Sequence, residues 1–140
     1  MIHERIALDG KKILVLDDQS TTRNGTRLAL SRWTTAQIKT APCEGNPVAV
    51  AEEWMPDLIL LDVYARPGTE YGCGLIQQLK DNLATRHIPI VIYTNYPQSF
   101  CEEFESYRNN PTTYLHKFPC QNLVTTVTRL LKEGEGDKAL

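Results

Sequence analysis

Five residues of this 140-residue chain combine the side-chain types and spacing that metal and phosphoryl chemistry needs: Asp17, Asp18, Asp62, Thr94 and Lys117. Asp17 and Asp18 close the apolar run Ile13-Leu14-Val15-Leu16, and Asp62 closes Leu58-Ile59-Leu60-Leu61. Thr94 follows Ile90-Val91-Ile92-Tyr93, and Lys117 follows Thr113-Tyr114-Leu115-His116. Carboxylates gathered at one place repel, a pair about 4 Å apart costing roughly 4 kcal/mol at an effective dielectric near 20. A cation must offset that cost. Lys117 offers one positive charge, and a hard divalent ion such as Mg²⁺, held by carboxylates, a backbone carbonyl and waters, offers two. With such an ion bound, one carboxylate can act as a nucleophile toward a phosphoryl group, whose oxygens call for a cation, a metal and a hydroxyl donor. Lys117, the Mg²⁺ and Thr94 are those three.

Several chain elements must position these groups. The run Asp57 to Asp62, introduced by Pro56 and followed by Pro67-Gly68, reads as a central strand buried on both faces, and Lys12 to Leu16 has the same form. Between them, Gln19-Ser20-Thr21-Thr22 supplies N-cap candidates for a helix whose partial apolar face is Leu28, Leu30 and Trp33 or Ala29, with Gly25 weakening its middle. Thr35 to Thr40 gives a weak strand signal centred on Ile38. Val48 to Met55 returns to helical spacing and stops at Pro56. The loop Tyr64 to Gly74 is rich in Pro and Gly, a composition that often carries function at a strand's end. Leu75, Ile76 and Leu79 then mark a helix reaching about Asn82. His87 to Tyr93 reads as a strand, and Gln98 to Arg108 as an acidic helix with Phe100, Phe104 and Tyr107 on one face. Thr113 to His116 is a short strand, and Pro119 opens a last helix with the stripe Leu123, Val127, Leu130 and Leu131. Strands alternating with helices imply βαβ crossovers and therefore an α/β domain with a parallel sheet covered on both faces. The five chemical residues then meet at the carboxyl edge of that sheet, where open α/β sheets bind ligands. Trp33 and Trp54 read as helix-packing residues, and His3, His87 and His116 lie outside the site.

The totals narrow the function class. The length suits one domain that buries roughly 68–70% of its unfolded surface without staples. A net charge of -2 and a pI near 5.9, with no basic stripe, argue against nucleic-acid binding. Cys43, Cys73, Cys101 and Cys120 have neither C-x-x-C nor zinc-finger spacing and read as reduced thiols. The N-terminus lacks the apolar region of a signal peptide, and no stretch is long enough to span a membrane. A soluble, cytoplasmic protein is the expectation.

In this order and at these intervals, Ile13-Leu14-Val15-Leu16-Asp17-Asp18, Pro56 through Asp62, Ile88 through Thr94 and Tyr114-Leu115-His116-Lys117 resemble a two-component response-regulator receiver domain. The resemblance covers roughly residues 11 to 132, leaving 1–10 as a polar lead-in anchored by Ile6 and Leu8 and 133–140 as a flexible tail. It implies a flavodoxin-like (βα)5 fold, a doubly wound five-stranded sheet in the order 2-1-3-4-5. It also implies that Asp62 is the phosphoacceptor, that Asp17, Asp18, Asp62 and the backbone carbonyl of Tyr64 hold Mg²⁺, and that Thr94 and Lys117 hold the phosphoryl group. Tyr114 matches the aromatic that turns inward when the Thr94 hydroxyl moves toward the phosphate. The implied donor is a histidine kinase or histidine phosphotransfer protein. Output would pass through partner binding at the Gln98 to Lys132 face, which could also form a homodimer, or through onward phosphoryl transfer.

This sequence departs from the family pattern at several positions. Arg66 stands where a Pro is usual, with Pro67 one place later, the helix-opening Gly is displaced to Gly72, and the loop carries about two extra residues. Asn95 replaces a small residue after Thr94, and with Tyr64 and Tyr96 is expected to set access to the phosphoryl group and its rates. Lys117-Phe118 replaces a Lys-Pro pair whose peptide is often cis; without proline the cis form costs about 2.5–4 kcal/mol. These departures motivate an alternative, a receiver-like interaction module that is not phosphorylated. A haloacid-dehalogenase-type phosphohydrolase would want a second Asp two places after Asp62, where Tyr64 stands. The chain is therefore not expected to be an enzyme acting on a separate substrate.

Overall fold

The computed structural model describes residues 5–17, 20–42, 45–63, 71–94, 113–117 and 123–139. Within them the chain runs β1 (Lys12–Asp17), α1 (Ser20–Trp33), β2 (Gln37–Ala41), α2 (Pro47–Trp54), β3 (Leu58–Val63), α3 (Tyr71–Asp81), β4 (Ile90–Thr94), β5 (Thr113–Lys117) and α4 (Leu123–Ala139). The strands form one parallel sheet, as the alternating pattern predicts, in the order β2-β1-β3-β4-β5 that the receiver resemblance implies.

Strand alternation explains why the central runs are apolar at every position. Leu14, Leu16, Ile59 and Leu61 enter one core with Ala51 of α2 and Ile76 and Leu79 of α3. Ile13, Val15, Leu58 and Leu60 enter the opposite core with Leu30 of α1 and Leu123, Val127, Leu130 and Leu131 of α4. All eight of these β1 and β3 side chains are fully buried, so a polar residue at any of them would be left between two cores.

The helices depart from expectation in readable ways. In α1, among the described side chains, Thr26 and Leu30, four residues apart, are buried, whereas Leu28 is 58% exposed and Trp33 is 42% exposed. Leu28 lies two positions from Leu30, about 200° around the helix, so it cannot share the face. Trp33 instead sits beside Arg32, 5.7 Å from guanidinium carbon to ring centre. Trp54, half-buried, packs against the first core and has the Lys12 and Lys39 ammonium groups 5.4 and 5.8 Å from its ring centre. Helix α2 starts with Asn46 as its cap, the side-chain oxygen accepting from the Ala49 amide at 3.2 Å, and Pro47 in its first turn. It ends on Met55 at φ 52°, whose amide donates to Ala51 O.

Several segment boundaries move. His87 and Ile88 are not part of β4 but of the turn before it, and Ile88 is buried there at 1% exposure. Its apolar side chain serves the core from a turn. The lead-in is structural: Leu8 belongs to the second core, Ile6 pairs with Thr34, and the Arg5 guanidinium donates from Nε and Nη2 to Thr34 O at 3.2 and 3.0 Å. At the other end helical backbone continues to Ala139, through the segment the sequence reads as a tail; Gly134 and Gly136 are tolerated in a helix at a cost of about 1 kcal/mol each. The expected helix over Gln98 to Arg108 lies outside the described residues.

The α3–β4 connection is closed by its own side chains. Thr85 Oγ1 donates to Leu79 O at 2.7 Å, and Asn82 Oδ1 accepts from the Ala84 amide at 2.8 Å. Lys80 Nζ donates to Ile88 O at 2.9 Å and Arg86 O at 3.3 Å, while burial lowers its ammonium from the ordinary 10.5 to about 8. The unfolded chain thus holds this proton more tightly than the folded one, so the Lys80 contribution to stability is flat below about pH 8 and rises from there toward 10.5. Urea midpoints of wild type and Lys80→Met between pH 7 and 10 should show the wild type gaining on the variant as pH rises; a constant difference contradicts this. Gly25 sits in the middle of α1 with nothing within 4 Å of a built Cβ. Gly25→Ala should therefore stabilise the fold by about 0.5–1 kcal/mol in the same titration.

Candidate functional site

The carboxyl edge of the sheet is set by strand register. Pairing of β1 with β3 places Asp17 opposite Asp62. Pairing of β3 with β4 places Val63 opposite Thr94, and pairing of β4 with β5 places Thr94 opposite Lys117. Asp17 and Asp62 therefore share one row across the sheet, and Thr94 and Lys117 share the next row. Neighbouring strands lie about 4.8 Å apart, so four of the five sequence-derived groups come from backbone positions one to three strand spacings apart. Tyr114 is opposite Val91, three residues back along β5 from Lys117.

Register is fixed from the other end. The Asp57 amide donates to Lys12 O at 2.8 Å, and the Lys12 amide donates to Asp57 Oδ2 at 2.8 Å. Five residues further on, in both strands, stand Asp17 and Asp62. A slip of one residue would take the whole apolar set of β3 to the wrong core, so this register is strongly specified. Asp57, read from the sequence only as the start of the strand, thus has a positioning role. The signal was its place just before an apolar run.

The Asp17 side chain is fully buried. Among the described residues no donor reaches its Oδ2, although Asp17 does make an interaction. Burial of an ionised carboxylate is costly without a cation or donors. A buried aspartate beside a second aspartate in the next strand is a hard, all-oxygen donor set of the kind Mg²⁺ takes, so the residues present fit that ion. Among the described residues no group of three or more His, Cys, Asp or Glu is assembled as a metal cluster. Asp18 and the Tyr64 carbonyl lie outside the described residues, as do Arg66, Glu70, Asn95, Tyr96, Phe118 and Pro119. The structure describes the backbones of Asp62, Thr94, Tyr114 and Lys117.

The fold and register can be set beside known proteins. No family model matches the chain. The N-terminal domain of a response regulator receiver protein from Methanoculleus marisnigri JR1 superposes with a TM-score of 0.64 at 26% identity, covering 91% of this chain and 96% of that one. The chain shares the fold of response-regulator receiver domains. A CheY-like receiver domain protein from Methanospirillum hungatei JF-1 gives a TM-score of 0.72 at 19% identity, over 91% of this chain and 98% of that one. The signal receiver domain of a histidine kinase from Syntrophus aciditrophicus gives 0.65 at 25% identity, over 89% and 92% of the two chains. In sequence, the response regulator PleD of Caulobacter vibrioides is 38% identical over 85 residues, which is 59% of this chain. The chain spans 18% of that relative's length. The chain thus has the fold of these receiver domains and a partial sequence likeness to PleD. Among the described residues no helix is long and apolar enough to cross a membrane.

Two carboxylate residues at one register position repel each other when no cation is bound. Asp62→Asn should accordingly raise the metal-free stability, by about 1 kcal/mol, and Mg²⁺ should raise the melting temperature of the wild type more than that of the variant. Thermal unfolding with EDTA and with Mg²⁺ checks both; equal Mg²⁺ shifts in the two proteins would remove Asp62 from the ion's ligands.

Proposed function

We propose that this chain is the receiver of a two-component or phosphorelay system, accepting a phosphoryl group on Asp62 from a phosphohistidine of a histidine kinase or histidine phosphotransfer protein. The observation that carries the reading is the register that sets Asp17 beside Asp62 and Thr94 beside Lys117 at the carboxyl edge of a receiver-type sheet. A carboxylate oxygen of Asp62 attacks phosphorus, a new O–P bond forms, the P–N bond to the donor histidine breaks, and the imidazole leaves with a proton from solvent. Asp17, Asp18, Asp62 and the Tyr64 carbonyl would hold Mg²⁺, which supplies positive charge to the phosphoryl oxygens. Lys117 would pair with a phosphoryl oxygen and the Thr94 hydroxyl would donate to another. Drawing Thr94 toward the phosphate frees space for Tyr114 to turn inward, and the Gln98 to Lys132 face then changes its affinity for a protein partner or a second copy. In this reading the chain is cytoplasmic and acts on no separate substrate. Asn95, Tyr64 and Tyr96 would govern how fast the phosphoryl group arrives and is lost.

The test is intact mass after incubation with acetyl phosphate, on wild type and Asp62→Asn, with Mg²⁺ and with EDTA. Wild type should gain one phosphoryl group only with Mg²⁺, and the variant none. No adduct on folded wild type, together with no change at Tyr114 on adding a beryllofluoride mimic, would instead make the chain a receiver-like interaction module outside phosphorylation control.

A further inference from the structure

Strand β2 borders the sheet, with β1 on its inner side and, among the described residues, no strand on its outer side. The Gln37 amide donates to Lys11 O at 2.8 Å, and β2 pairs with β1 from Gln37 to Ala41. Backbone groups alternate in direction along a strand, so those of Gln37, Lys39 and Ala41 point toward β1 and those of Ile38 and Thr40 point outward. Among the described residues no hydrogen-bond partner reaches these outward amides and carbonyls. The opening is short. At one end the Ala36 amide is taken by Thr34 Oγ1 at 3.4 Å, and at the other Pro42, the next outward position, has no amide to offer.

The two faces of this edge differ. Ile38 packs against the core beneath α1 and α4, whereas Lys39 is exposed on the other face, its ammonium 5.8 Å from the Trp54 ring centre. The second ion at that ring is also an ammonium, that of Lys12 at 5.4 Å. Strand β2 carries no carboxylate, and Glu52 of α2 accepts from Asn82 Nδ2 on the α3 side, about 200° around the helix from Trp54. The Lys39 face of the edge is therefore cationic. An antiparallel strand that used all the outward groups would set residues opposite Ile38 and Thr40 in hydrogen-bonded pairs, and one residue opposite Lys39 in the closer pair, with Cα atoms about 4.5 Å apart. A second copy of β2 could do this only with Lys39 directly against Lys39, which like charges oppose. A carboxylate at that place meets an ammonium instead.

We propose that the outer edge of β2 takes up an extended acidic segment of a partner protein as an added antiparallel strand, with Asp or Glu opposite Lys39 and β-branched residues opposite Ile38 and Thr40. This edge lies at the other border of the sheet from β5, which belongs to the Gln98 to Lys132 face, and it needs no phosphoryl group on Asp62.

The experiment is a ¹⁵N-amide NMR titration of the full chain with the acetylated, amidated peptide Thr-Val-Glu-Val-Thr and its counterpart with Lys in place of Glu. Wild type, Lys39→Glu and Thr40→Pro are compared, with amide exchange measured at each end point. In wild type the Glu peptide should saturate in the millimolar range, as so short a strand allows, and slow exchange at Ile38 and Thr40 while Lys39 and Ala41, already bonded to β1, change little. The Lys peptide should bind about threefold to tenfold more weakly, and Lys39→Glu should reverse that preference, which a loss of stability cannot do. Thr40→Pro removes an outward amide without touching the β1 ladder and should weaken the Glu peptide by about the same factor. Shifts that do not saturate, protection that does not alternate, equal binding of the two peptides, or a preference unchanged in Lys39→Glu would overturn the proposal. Protection of Ile38 and Thr40 that grows with protein concentration without peptide would overturn it too, giving the edge to a second copy.

Discussion

Everything at the carboxyl edge depends on how β1 and β3 are paired. The two strands are locked where they begin, Lys12 at the start of β1 and Asp57 just before β3 exchanging hydrogen bonds of 2.8 Å, and run on to Asp17 and Asp62 in matching register. Burial on both faces removes the freedom to slip, because each strand sends alternate side chains into two different cores. The pairing of two aspartate positions in adjacent strands is thus imposed by packing. Apolar burial at about 25 cal/mol per Å² over eight fully buried β1 and β3 side chains outweighs a charge–charge term of a few kcal/mol. That imbalance lets the sheet hold acidic groups together where an unstructured loop would let them drift apart.

The sequence disclosed the central strands because they are buried on both sides and therefore apolar without interruption; β1, β3 and the second half of the β4 run needed no other signal. Edge strand β2 was harder. Its residues alternate between exposed and half-buried up to Ala41, Ile38 is its one large apolar residue, and the strand starts two positions later and ends one later than Thr35 to Thr40 suggested. The excess at the start of β4 has a different cause, since Ile88 is as apolar and as buried as a strand residue while lying in a turn. For α1 the apolar content was right and the face was wrong: Leu28 and Trp33 are turned outward, and two threonines, Thr26 and Thr34, are buried in that region instead.

At the site, the backbone positions of Asp17, Asp62, Thr94 and Lys117 were legible because each stands at the end of a strand or one residue before it, and strand ends in a parallel sheet lie along one edge. What carried no local mark was the set of contacts between distant positions. Nothing around Lys80 announces that its ammonium spans to Arg86 O and Ile88 O, and nothing around Asp57 announces that its carboxylate caps the amide of Lys12. Such contacts follow from the fold rather than from spacing.

The lead-in carries a consequence for the extent of the domain. Arg5 covers the last carbonyl after α1, Ile6 runs beside Thr34, and Leu8 is sealed in the core between α1 and α4. The part of the chain that can be recognised by its motifs is accordingly shorter than the part that holds itself together. A cut made where the motifs begin would open a hydrophobic wall on one side of the sheet and leave a helix end without its cap. Recognition and cohesion have different borders here.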